Sequence, residues 1–204
     1  MNLAKAEHYA LKIVEWLAPF CTRIEIAGSI RRRRPECNDV DIVCVPKLEQ
    51  VADLAGDTGE VRNLAREELI RYVRSTPGAS WRKGKEPKWD ASNLLVALPK
   101  CELDLWCAND LNFATRLMCR TGSQEHNIWL AERANGFRLH WNPYQGLQTE
   151  RGLLKFLPTE AAIYRAVGLD FIRPENRELP FLQKLARGAA QFPSGVKTQD
   201  EKTI

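Results

Sequence analysis

Leu3, Ala6, Ala10, Ile13, Val14 and Leu17 recur every three to four residues, and Pro19 follows them. That spacing makes one apolar stripe on a helix over residues 3–18, stopped by the proline. The period then shortens. "RIEIAG" alternates as a short strand ending at Gly28, and "DVDIVCV" alternates again. Alternation places Asp39, Asp41, Val43 and Val45 on one face of the second strand and Val40, Ile42 and Cys44 on the other. Residues 46–60, punctuated by Pro46, Gly56 and Gly59, read as a loop or a weakly ordered insertion. A helix is predicted over about 61–75, closed by "STPG". A basic turn, "SWRKGKEPKW", leads to two further strands at about 93–98 and 101–107. In the last of these, Glu102, Asp104 and Trp106 share one face and Leu103, Leu105 and Cys107 the other. Two strands with acids on one side and aliphatic residues on the other predict an α/β (α+β) fold. Its mixed sheet has its apolar face covered by the two helices and its acidic face open.

From residue 111 the pattern changes to the arginine-sprinkled helical stretch "LNFATRLMCRTGSQEHNIWLAERANG", followed by "LPTEAAIYRAVGL" with Thr159 as N-cap and Gly168 as the stop. This predicts a first domain over 1–110, a small α/β domain over 111–188, and a flexible tail over 189–204. With 44% hydrophobic and 27% charged residues, the chain can bury a core. No apolar run approaches the about 20 residues of a membrane span, and the N-terminus lacks the layout of a signal peptide. A cytoplasmic or nucleoid-associated protein, not secreted and not membrane-bound, is expected. The six cysteines show no CxxC pair and no zinc-ligand spacing, and reduced core thiols are the expectation.

Charge adds where, rather than how much. Residues 1–110 carry 17 Lys/Arg and 17 Asp/Glu, and residues 111–188 carry 11 against 7. The net charge of +4 therefore arises in the second half, a balance that permits nucleic-acid binding without specifying it. Both signs are concentrated in "EIAGSIRRRRPECNDVDIVCV". Asp39 and Asp41, two apart on a strand, point the same way, as a hard cation requires, and Asp104 on a neighbouring strand supplies a third carboxylate. Mg²⁺ takes one or two carboxylates together with substrate phosphate oxygens. Gly28 and Ser29 form a turn that offers backbone N–H groups and a hydroxyl to a phosphate. The arginines that follow would neutralise it with forked hydrogen bonds. The plainer alternative is an ion-paired surface hairpin with no ligand.

These pieces resemble a known signature. "GSIRRRRPECNDVDIV" is similar to the G-S-x-R-R…D-x-D motif of the DNA polymerase beta superfamily of nucleotidyltransferases. "ELDLW", "RTGSQEHNIWL" and "AVGLDFIRPENREL" follow in the order found in family X DNA polymerases, over most of residues 10–180. The resemblance implies a nucleotidyltransferase palm over 1–110 and a thumb over 111–188. It implies addition of dNTPs to a DNA 3′-hydroxyl with two Mg²⁺ ions, Mn²⁺ able to substitute. Asp39, Asp41 and Asp104 match the metal-binding and catalytic aspartates. Gly28, Ser29 and Arg32 match the triphosphate turn, Gly122 and Ser123 the thumb hinge, and Asn127 a contact to the base or minor groove. Lys88 falls where the family places a basic residue near the template, and Arg133 is assigned with it to DNA. The expected partners are a primer–template or gapped DNA and a dNTP, with the protein a monomer.

Three departures qualify the match. The chain begins where the palm begins, without a counterpart of the family's lyase domain and fingers. Cys119 and Arg120 stand where members carry an aromatic-containing pair that senses the sugar, and Glu102 stands where some carry arginine. A transferase acting on an RNA, small-molecule or protein acceptor, or a DNA-end-binding module of weak activity, are the alternatives. His126 is expected to pack or to face DNA, while Trp81 and Trp89, amid basic residues, are candidates for stacking bases.

Overall fold

A computed structural model of the chain describes residues 1–52, 58–88, 91–152 and 155–178. The first helix, α1 (Leu3–Leu17), is capped by Asn2, whose side chain accepts from the Lys5 N–H at 3.0 Å. Its stripe of Ala6, Ala10, Ile13 and Leu17 is buried, and burial of Ile13 and Leu17 contributes about 1.5–3 kcal/mol each. A single 3-10 turn containing Pro19 carries the chain into β1 (Cys21–Ile26). A one-turn helix, α2 (Gly28–Arg31), then reverses it towards β2 (Val40–Pro46).

The described parts of residues 46–60 form strands rather than a loop. β3 (Leu48–Ala52) and β4 (Thr58–Asn63) pair antiparallel, with Glu49 opposite Arg62 and Gln50 opposite Val61. This ladder is held by backbone hydrogen bonds rather than by burial. Leu48 and Val61 remain 64% and 53% exposed, so the segment carries no strong hydrophobic pattern. The predicted helix begins later than expected, as α3 (Leu64–Ser75), because Asn63 caps it through the Arg66 N–H.

β5 (Ser80–Trp81), β6 (Asn93–Ala97) and β7 (Glu102–Cys107) complete a five-stranded mixed sheet in the order β1-β2-β7-β6-β5. Its two central strands, β2 and β7, run parallel, and every other pair is antiparallel. One face buries Val40, Ile42, Leu94, Val96, Leu103 and Leu105 against α1 and α3. The opposite face is open only in part. Val43 and Val45, on the same side as Asp41, pack with Ala27 against Phe113 and Leu117 of α4 (Phe113–Thr121). The expectation of an uncovered acidic face is corrected there: alternation that exposes aspartates also presents valines, and valines need cover.

α4 serves two cores. Phe113 and Leu117 face the sheet, while Ala114 and Met118, one residue further round, join α5 (Gln124–Gly136), the hairpin of β8 (Leu139–Asn142) and β9 (Gly146–Thr149), and α6 (Glu160–Ala166) in a second core. That core holds Leu130, Leu147, Ile163, Tyr164 and Val167. Thr159 caps α6 through the Ala162 N–H at 3.1 Å, and Gly168 follows it with φ +68°. The six cysteines are free thiols, three of them buried. No described helix is long and apolar enough to cross a membrane. The expected tail over 189–204 lies outside the described residues.

Candidate active site

The register of β2 against β7 sets Asp41 directly opposite Asp104 on adjacent parallel strands. Asp39 stands just before β2. The three carboxylates thus come from two neighbouring strand ends and repel one another. Burial, with the charges of Asp39 and Asp104 beside it, pushes the Asp41 carboxyl up to about 7. The indole N–H of Trp106 donates to Asp41 Oδ1 at 3.3 Å and eases this load, as does the nearby Arg120 cation. Arg120 lies over the face of Trp106, 3.4 Å from the ring centroid, so α4 touches the carboxylate sheet through a cation–π contact.

Burial also raises the Asp104 carboxyl, and Arg82 opposes the rise. Arg82 comes from the basic turn after β5. Its Nη1 donates to Asp104 Oδ1, and its Nη2 sits 3.1 Å from Glu102 Oε2. As the side chains stand, no group of three His, Cys, Asp or Glu residues among the described residues gathers closely enough to hold a metal ion.

Gly28 has φ +61° and lies so close to Asp41 that a Cβ there would run into the carboxylate. Ser29, beside it, is half-buried. The arginine run divides its labour. Arg31 grips Glu160 of α6 through both terminal nitrogens, at 2.9 and 2.7 Å, and donates to Thr121 Oγ1 at 2.8 Å. Arg32 donates to Glu178 at 2.9 Å and to the Thr121 carbonyl. Arg33 and Arg34 are exposed, with Arg34 3.8 Å from Glu178. Part of the run is therefore an ion-paired seam between the two cores, and Arg32 stands where that seam meets the Gly28 turn.

Gly122 and Ser123 join α4 to α5 through a cis peptide bond, with Gly122 at φ +69°. Ser123 caps α5. Asn127 Nδ2 donates back to the Cys119 carbonyl at 2.8 Å. His126 is fully buried, its Nε2 2.6 Å from the Tyr164 hydroxyl; burial, reinforced by the Arg177 cation, holds its imidazole down at about 4. It packs rather than facing outward. Arg133 spends its donors on the Val167 and Gly168 carbonyls, whereas Lys88 is exposed. Trp81 packs against the first core, and Trp89 lies outside the described residues. The structure thus brings Gly28, Ser29, Asp39, Asp41 and Asp104 together around one end of β2 and β7, with Arg120 reaching it from α4 through Trp106, whereas Cys119 packs against the second core and meets Asn127. Arg133 is spent instead on the second core.

Sequence reasoning missed Arg82, Trp106 and the Glu160–Arg177 pair as parts of this surround. For Arg82 the signal is register alone. Trp81 pairs with Val96, which puts Arg82 beside Leu95, and Leu95 pairs with Asp104. Arg82 and Asp104 therefore share a face two strands apart, about 9.5 Å, within reach of an arginine and a carboxylate.

Residues 116–178 match the family model for the DNA polymerase beta thumb. No curated protein matches the sequence significantly. Among solved structures, the chain is similar to polymerase beta from Leishmania infantum in a ternary P/T complex. The TM-score is 0.61 at 17% identity, with 88% of this chain and 77% of that one covered.

Proposed function

With a polymerase beta thumb on a polymerase beta fold as the premise, we propose that this chain is a DNA-directed DNA polymerase of the family X type. It adds nucleotides from dNTPs to a DNA 3′-hydroxyl with release of pyrophosphate, in gap-filling or repair-like synthesis. The observation that carries this is the Asp41–Asp104 register beside Asp39, at the foot of the thumb-like core. Three mutually repelling carboxylates, one of them held largely protonated below pH 7 by burial and by its neighbours, fit a divalent cation, which relieves that repulsion. Asp39, Asp41 and Asp104 would hold Mg²⁺, or Mn²⁺ in its place. When bound, the two ions supply activation of the attacking hydroxyl and charge stabilisation on the leaving pyrophosphate.

The chain's own residues do the positioning. Gly28 keeps the turn close to Asp41, and Ser29 and Arg32 present a hydroxyl and a guanidinium to the triphosphate, which would take Arg32 from Glu178. Trp106 fixes one Asp41 oxygen, so the carboxylate does not turn freely. Arg120, clamped on Trp106, forms with Cys119 the wall expected near the sugar. Asn127 reaches the base or minor groove from a side chain already steadied by Cys119. Of the two residues assigned to DNA, Lys88 has the freer side chain.

The pairing of Asp104 with Arg82 favours a second reading, a DNA-end-binding module with a silent site. Primer extension separates the two. Single-nucleotide insertion on gapped DNA, with and without template and with and without Mg²⁺, should give metal-dependent extension; binding without extension on every substrate would establish the second reading. DNA affinity should also fall steeply with salt, since each phosphate neutralised by Lys or Arg adds about 0.9 to the log–log slope. About four contacts would lower it roughly 100-fold between about 50 and 200 mM salt. An affinity flat over that range, measured by fluorescence anisotropy, would point to a different acceptor.

A further inference from the structure

Arg82 places two donors on two acids of unequal exposure. The Asp104 side chain is 15% exposed and that of Glu102 is 51% exposed, and they stand two residues apart on the same face of β7. A guanidinium is a rigid fork whose arms bond independently, so one arm can release while the other holds. We infer that Arg82 is a positioning residue that neutralises Asp104 while no divalent cation is bound and is retained by Glu102 when one binds. This rests on the reading of Asp104 as a metal ligand.

The electrostatics require such an exchange. A divalent cation on Asp104 would meet the Arg82 charge at bonding distance, and the two cations repel. Arg82 must leave Asp104, and the β5–β6–β7 register holds its backbone two strands away, so it moves by swinging its side chain. Glu102 gives the swung guanidinium a charged partner on the solvent side. Without Glu102, both arms of Arg82 are free to settle on Asp104, and the cation competes against a stronger pair. An acid at position 102 thus promotes metal binding through Arg82 as well as through its own field.

Equilibrium Mn²⁺ binding to the DNA-free protein, followed by the electron paramagnetic resonance of free Mn²⁺, tests this without any turnover. Arg82→Gln should tighten Mn²⁺ about three- to tenfold. Glu102→Gln should weaken it by a comparable factor in the wild-type background, and by much less once Arg82 is replaced. Arg82→Lys, which keeps the charge but not the fork, should fall between. An Arg82→Gln affinity equal to or weaker than wild type overturns the exchange. So does a Glu102→Gln effect of the same size in both backgrounds, which would make Glu102 a neighbouring charge only. The premise fails separately: if wild-type protein binds no Mn²⁺, or Asp104→Asn binds it as well as wild type, the metal reading of Asp104 is wrong and the inference falls with it.

Discussion

Asp41→Ala and Asp104→Asn should each reduce single-nucleotide insertion by at least about 10³-fold, about 4 kcal/mol of transition-state stabilisation, while the protein stays folded. On the proposed metal reading, either change removes a ligand oxygen from a site whose other side chains cannot replace it. Each variant keeps two carboxylates of the trio, both already counted as ligands, and Glu102 is engaged by Arg82. The folding half of the expectation follows from burial. Asp41 is a desolvated carboxylate facing two others, and such a group costs stability rather than supplying it. The melting temperature of Asp41→Ala should therefore be no lower than that of wild type. A folded variant that extends primers at near-wild-type rate would remove Asp41 or Asp104 from the metal site. A variant that fails to fold would show that burial there is compensated by contacts beyond Trp106 and Arg120.

The second large effect lies in the seam. Glu160 joins Arg31 to Arg177, and Arg177 is fully buried, with its Nε on the Ile172 carbonyl and its Nη1 2.7 Å from Glu160. Glu160→Ala leaves one buried cation uncompensated and frees another, and breaking a buried pair this way costs about 3–5 kcal/mol. Chemical denaturation measures it. Glu178→Ala, at a more exposed pair, should cost no more than about 1 kcal/mol, and equal losses for the two variants would contradict the assignment. The same seam predicts acid lability. Burial pushes the Glu160 carboxyl up, but its bonds to Arg31 and Arg177 outweigh this and hold it below its usual 4.5. Its contribution is present at neutral pH and is lost as pH falls through the depressed value. His126 acts in the same direction. The unfolded chain takes up its proton near 6.5, and the folded imidazole does so only near 4, so stability declines across that interval. His126→Gln should flatten the upper part of the profile and Glu160→Gln the lower.

Much of this was legible before any coordinates. Alternation placed Asp41 and Asp104 on strands, and a shared parallel register then made them neighbours. The 3.6-residue stripe of α1 and the Thr159 cap follow from local chemistry that the chain writes within a few residues. What escaped is non-local. Glu160 is 129 positions from Arg31, and no period links them. Arg82 reaches Asp104 only through the pairing of three strands. The β3–β4 ladder leaves Leu48 and Val61 in water, so their hydrophobicity carries little trace of it. The cover over Val43 and Val45 is legible in the sequence, since both valines fall on the aspartate face and valines need burial.

The division of α4 between two cores has a mechanical meaning. Phe113 and Leu117 bolt the helix to the sheet, and the positive-φ Gly122 comes only after the helix ends. The body that includes the carboxylates therefore extends past residue 111, and a swing of the C-terminal core about a point beyond α4 would have to slide over Ala114 and Met118. Arg120 would stay with the sheet through such a swing, while Asn127 would travel. On the proposed function, the Arg120 wall would then be stator and the Asn127 contact rotor. The clamps of Arg31 on Glu160 and of Arg32 on Glu178 span the pivot, so they set the load against which it turns.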